Sequence, residues 1–272
     1  MDYAERLREK AGESGIVCMG IDPVLEKIPL KGNAESVISK FFLDILDSII
    51  TENAPLNTVK PNIAYFEQYG FEGLRALKSI IEECQKKDLI VILDGKMGDI
   101  GKSSAAYAKA AFDFWGADAV TVNPYMGSDS VEPFLQYMKK GKGVYALCRT
   151  SNSGAKDFQD LQSEGKPLYI RVAEKIAEWE CGAVVGATNI REFEALAKFF
   201  SKHNAPLLIP GVGAQGGSAT EVAKTLKKAG MDLKTARINS SSGITYSFKK
   251  GEDYAGAAVK EIKRLNREIG KV

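Results

Sequence analysis

Eight times along the chain, a short strand-like run gives way to helical periodicity, and seven of the eight runs end on a polar or charged residue. The runs cover 16–22, 57–62, 89–94, 118–123, 143–149, 182–188, 206–211 and 235–239. Helical spacing fills 34–52, 65–87, 103–115, 128–140, 167–180, 192–203, 218–229 and 253–269, after a charged lead-in helix over 2–12. The wholly apolar run 89–93 reads as a strand buried on both faces, as in a parallel sheet. Eight strand–helix units recurring about every 30 residues, without a Pro/Gly-rich linker, predict an α/β fold: one (β/α)₈ TIM barrel after a short leading helix, filling 1–272 as one domain. A doubly wound open sheet is the competing arrangement. The barrel makes the sharper claim, because functional residues then sit at the carboxyl ends of the strands and a phosphate site follows strands seven and eight.

Polar residues do fall at those ends: Asp22, Lys60, Asp94, Lys96, Asn123, Arg149, Thr188 and Asn239. The densest stretch is 89–104, where an apolar strand runs into Asp94, Lys96 and Asp99. Alternation along a strand points Asp94 and Lys96 to one side. Gly95 and Gly98 allow a turn, Asp99 lies beyond it, and Ser103 or Ser104 is the expected N-cap of the next helix. One such triplet alone reads equally well as a structural ion pair. In a barrel, however, Asp22, Lys60, Asp94, Lys96 and Asp99 converge on one rim, where opposite charges keep one another ionised without water. Such an array presets a field for charge that develops only in a transition state.

Composition removes several classes. A net charge of +2 over 272 residues implies no general affinity for nucleic acid or membranes. No apolar run approaches the ~20 residues of a membrane span, and the charged N-terminus is unlike a signal peptide, so a cytoplasmic location is expected. Cys18, Cys84, Cys148 and Cys181 are scattered and read as buried thiols. The single histidine, His203, falls before strand seven, at the pole away from the rim, which leaves zinc sites and histidine-based triads unsupported. Gly211, Gly213 and Gly216 match G-x-G-x-x-G, but the next strand ends Arg-Ile-Asn-Ser-Ser, with no acid for a dinucleotide ribose. A glycine loop feeding a helix suits any phosphate. Gly101-Lys102-Ser103 lacks the upstream glycine of a P-loop, because position 96 is Lys.

With these residues in view, Asp94-Gly-Lys96-Met-Gly-Asp99-Ile100 resembles the D-x-K-x-x-D signature of orotidine 5′-monophosphate decarboxylases. The match extends through Gly20-Ile-Asp22-Pro, Val59-Lys60-Pro-Asn62, Asn123-Pro-Tyr-Met-Gly127, Cys148-Arg-Thr-Ser-Asn152 and Gly211-Val-Gly-Ala-Gln215-Gly-Gly217, in the order of the longer bacterial and archaeal form. The resemblance implies conversion of orotidine 5′-monophosphate to uridine 5′-monophosphate and CO₂, in pyrimidine biosynthesis, without metal or organic cofactor. It implies that Lys96 donates a proton to pyrimidine C6, that Asp94 lies beside the departing carboxylate, and that Lys60 bridges Asp94 and the ribose. Asp22 would bind a ribose hydroxyl, Ser151 the pyrimidine edge, and Gln215 base and phosphate, with Ser241 and Ser242 at the phosphate end. Asp99, Ile100 and Ser103 would reach into a neighbouring subunit's site, which implies a homodimer with shared active sites.

Metal-dependent sugar-phosphate lyases of the same superfamily resemble the signature too. Their second strand ends on a metal-binding Glu, where this chain has Lys60. Two departures stand out. Ser153 occupies the usual position of Pro, and Asn239-Ser-Ser-Ser242-Gly-Ile replaces Asn-Ser-Ser-Arg-Gly-Ile, which removes the arginine that grips phosphate. That loss keeps a non-catalytic, nucleotide-binding barrel among the readings.

Overall fold

The computed structural model describes residues 1–212 and 217–272, apart from the side chains of residues 13 and 14. Eight parallel strands close into a barrel: β1 (Val17–Ile21), β2 (Thr58–Pro61), β3 (Ile90–Met97), β4 (Ala119–Val122), β5 (Gly143–Arg149), β6 (Gly182–Val185), β7 (Leu207–Ile209) and β8 (Ala236–Ser240). Closure comes from β8 pairing with β1, Cys18 opposite Asn239. The expected barrel is therefore present, and the open sheet is not. The helices α1 (Tyr3–Ser14), α2 (Ala34–Thr51), α3 (Gly70–Lys86), α4 (Gly101–Lys109), α5 (Ser128–Leu135), α6 (Leu168–Glu178), α7 (Ile190–Ser201), α8 (Ala219–Lys228) and α9 (Tyr254–Ile269) accompany them.

The barrel interior is split by chemistry. Ile90, Ile92, Ala119, Tyr145, Val184 and Leu208 form an apolar cluster, and Tyr3 and Leu7 of α1 close it from below. Against Leu7, Arg237 is fully buried. Its guanidinium donates to Thr58 Oγ1 at 2.8 Å and to the carbonyls of Leu7, at 2.9 Å, and Ala236, at 2.8 Å. A buried cation is tolerable only when its donors are satisfied, and here they tie the leading helix to β2 and β8. Arg6 adds an ion pair to Asp118 at 2.6 Å. The lead-in helix thus acts as a plug for the amino-terminal end of the barrel, and the other end stays open.

Several boundaries differ from the sequence reading. The helix expected over 65–87 is broken into Ala64–Glu67 and α3, where Gly70 takes a left-handed φ of +60°. The helix expected over 128–140 is α5 followed by a 3₁₀ segment, Gln136–Lys140. β3 continues three residues past Asp94, and α4 begins at Gly101 with no side-chain cap. Ser103 and Ser104 are therefore not N-caps; Ser104 is buried and donates instead to the Ser130 carbonyl of α5. All four cysteines are free and buried, and His203 is exposed, as expected.

Candidate active site

The open, carboxyl end of the barrel holds a cavity of about 470 Å³. Asp22, Lys60, Asp94, Lys96, Ser151, Asn239, Ser241 and Ser242 all line it, so eight polar or charged residues singled out from sequence meet in one place. The charged centre is Asp94. Lys60 Nζ, at the end of β2, donates to Asp94 Oδ2 at 2.8 Å, and Lys96 Nζ donates to Oδ1 at 2.7 Å. Thr121 Oγ1, from β4, donates to the same Oδ1 at 2.8 Å. Burial pushes the Asp94 carboxyl up, but the two ammonium groups overcome that and hold it well below the usual carboxylate range. Burial likewise pulls Lys60 down, and Asp94 followed by Asp22 more than reverses it. Asp94 and Lys60 stay charged together in a site where both are almost wholly buried.

Lys96 itself is about half exposed to the cavity and lies on a left-handed backbone, φ +43°. For a side chain with a Cβ that conformation costs about 1–2 kcal/mol. It is tied to a bulge: Leu93 pairs with Val120, and Met97 with Val122, so β3 runs over more residues than its neighbour does.

Two glycines permit close approaches. A Cβ on Gly20 would lie 2.4 Å from Ser241 Cβ, so only glycine lets the end of β8 press against β1. The contact brings Ser241 Oγ to Asp22 Oδ2, while Asp22 Oδ1 is buried with no hydrogen-bond partner among the described residues. A Cβ on Gly186 would lie 2.9 Å from Ser151 N, so glycine after β6 seats Ser151 at the cavity wall.

Other expected residues stand elsewhere. Asp99, Ile100 and Ser103 do not line the cavity of their own chain; Asp99 Oδ1 caps Ile100 N at 2.8 Å, and Ile100 is 55% exposed. Asn123, Arg149 and Thr188 are also outside it. Asn123 Oδ1 accepts from Tyr125 N at 3.1 Å. Arg149 is buried in ion pairs with Glu192, at 2.7 Å, and Asp160, at 3.0 Å, which anchor the loop after β5. Gln215, Gly213 and Gly216 lie outside the described residues. Lining residues that carry no role in the sequence reading include Asn62, Tyr65, Thr121 and Thr150. Alternation along 118–123 places Thr121 inward with Ala119, a signal that could have found it. Among the described residues the cavity's only cations are Lys60 and Lys96; Lys249 and Lys250 are exposed and do not line it.

The family model for orotidine 5′-phosphate decarboxylase / HUMPS matches residues 15–256. The chain belongs to that family. It is 39% identical to the orotidine 5′-phosphate decarboxylase of Clostridium novyi over 290 residues, covering 98% of each. It is 42% identical to that of a Janthinobacterium species over 253 residues, covering 89% of this chain and 88% of the relative. The Leishmania donovani OMP decarboxylase structure is 31% identical and superposes with a TM-score of 0.78, covering 99% of both chains. The family's decarboxylases are cofactor-independent carboxy-lyases that form UMP in pyrimidine biosynthesis.

Proposed function

We propose that this chain decarboxylates orotidine 5′-monophosphate and that Lys96 is the proton donor. The observation that carries the reading is the alternating Lys60–Asp94–Lys96 array in a cavity at the carboxyl end of the barrel. When the C6–carboxylate bond breaks, its electron pair stays on C6 and CO₂ leaves. No adjacent carbonyl delocalises that pair. The Lys96 ammonium stabilises it electrostatically and then transfers a proton, which forms the C6–H bond and leaves a neutral amine. Asp94 holds Lys96 in place and lies beside the leaving carboxylate. Lys60 bridges Asp94 and the ribose, and Asp22 Oδ1, which has no partner among the described residues, accepts from a ribose hydroxyl. Ser151 reads the pyrimidine edge, and Gln215, Ser241 and Ser242 serve the phosphate end, whose binding energy is expressed at the distant reacting carbon.

The metal-dependent reading is disfavoured by Lys60, whose ammonium occupies the position of a metal-binding carboxylate and repels a divalent cation. Mixing the protein with orotidine 5′-monophosphate and following the ultraviolet band, with and without EDTA, tests both. Loss of the band in EDTA supports the decarboxylase. No loss at high enzyme concentration would sink it, and Mg²⁺-dependent turnover of a sugar phosphate would favour the alternative.

We read 1–272 as one unit that acts in the cytoplasm as a homodimer. Ile100 at the start of α4, Tyr107 within it and Phe114 in the π-helical segment that continues it are 55%, 47% and 61% exposed, and Tyr125 and Met126 are exposed as well. So much exposed apolar surface beside Asp99 and Ser103 supports a partner there, with those two residues serving its site.

A further inference from the structure

The bulge in β3 leaves an electrostatic problem that one uncharged side chain solves. From Leu93 to Met97 the strand advances four residues while β4 advances two, from Val120 to Val122. The Lys96 N–H therefore has no ladder carbonyl opposite it. It donates instead to Thr121 Oγ1, at 2.9 Å. The hydroxyl's own proton goes to Asp94 Oδ1 at 2.8 Å. Both directions are forced, because a backbone N–H can only donate and an ionised carboxylate can only accept. Thr121 is 1% exposed, so water does not compete for either bond.

We propose that Thr121 is a positioning residue for the decarboxylation: one hydroxyl locks the left-handed backbone of Lys96 to the carboxylate its ammonium must face. This rests on the assignment of Lys96 as proton donor. Once Lys96 has given its proton to C6, Asp94 Oδ1 loses a charged neighbour. The Thr121 hydroxyl remains bonded to it and keeps the carboxylate oriented, so that the amine returns to the same place on reprotonation. A β-branched side chain suits this task, since its χ1 is confined by the strand.

The test compares Thr121→Val, which keeps shape and removes the hydroxyl, with Thr121→Ser, which keeps the hydroxyl. Turnover of orotidine 5′-monophosphate, KM, and UMP affinity are measured for each, with melting curves to confirm folding. Losing a hydrogen bond to a charged group predicts a fall in kcat of about 10- to 100-fold for Thr121→Val. KM and UMP affinity should stay within about threefold, because the ground-state contacts are intact. Thr121→Ser should restore most of kcat. If Thr121→Val does not fold, Thr121→Cys, with its weak donor, replaces it and should fall between Ser and the loss predicted for Val. Native kcat in the Val variant would overturn the proposal. So would equal loss of kcat and UMP binding in Val and Ser alike, which marks mere structural damage. Absence of turnover by the unsubstituted protein would instead remove the decarboxylase reading, and the proposal with it.

Discussion

Lys96 Nζ meets Asp94 Oδ1 at 2.7 Å although the backbone between them is bulged and left-handed at Lys96. Simple strand alternation also predicts that the two share a side, but the ideal pleat is not what delivers the contact. The bulge re-aims Lys96 toward the cavity, a common use of bulges beside functional sites.

Replacing Lys96 by Ala should leave the fold intact, because the side chain is about half exposed and closes no core. General acid–base groups contribute about 10²–10⁴-fold, so kcat should fall by at least ~100-fold. Steady-state kinetics with a circular dichroism control checks this. A variant that retains a tenth of native kcat contradicts the role.

The Asp94 carboxyl is held below its ordinary value, so its contribution to stability has a definite sign with pH. That contribution is complete above the unfolded carboxylate value of 3.8 and is lost as pH falls below it toward the folded value. Urea unfolding at pH 7 and at successively lower pH should show this decline in the native protein. Asp94→Asn removes one member of a buried pair and should cost about 3–5 kcal/mol at pH 7. Its stability should then vary less across the acid range than that of the native protein, and an unchanged pH slope would contradict the assignment.

Asp99 does not line the cavity of its own chain. If it serves a partner's site, mixing Lys96→Ala with Asp99→Ala should regenerate activity. Heterodimers would contain one site with both native residues. Subunit exchange is followed in parallel by mixed-label mass spectrometry. Demonstrated exchange with no recovered turnover would argue against shared sites.

Ser242 lines the cavity next to Ser241, at the end where β7 and β8 deliver their loops. Only Lys60 and Lys96 carry positive charge among the described lining residues, and both face Asp94. Arginine offers a bidentate, charged grip on phosphate that serine does not. Ser242→Arg should therefore strengthen UMP binding and raise kcat/KM about 10- to 100-fold, the equivalent of about 1.5–3 kcal/mol. The nucleoside, without phosphate, should gain nothing. Calorimetry on both ligands decides it; equal gains would place residue 242 away from the phosphate.

The chain's local patterns determined the architecture. Apolar runs and helical spacing are properties of neighbouring residues, so eight strands, their helices and the charged strand ends were legible without coordinates. So was the cluster of Asp22, Lys60, Asp94 and Lys96, because parallel strands in a barrel bring every carboxyl end to one rim. Tertiary structure alone decided which strand-end residues enter the cavity. Arg149 has the same sequence signal as Lys60, yet Glu192 and Asp160, carried by later segments, take it into a structural ion network. Asp22 and Ser241 lie 219 residues apart and meet only because β8 closes on β1, over a Gly20 with no Cβ. The Thr121 link to Asp94 and Lys96 depends on the register of β3 against β4 across the bulge. Register belongs to a pair of strands, and no single stretch of sequence contains it.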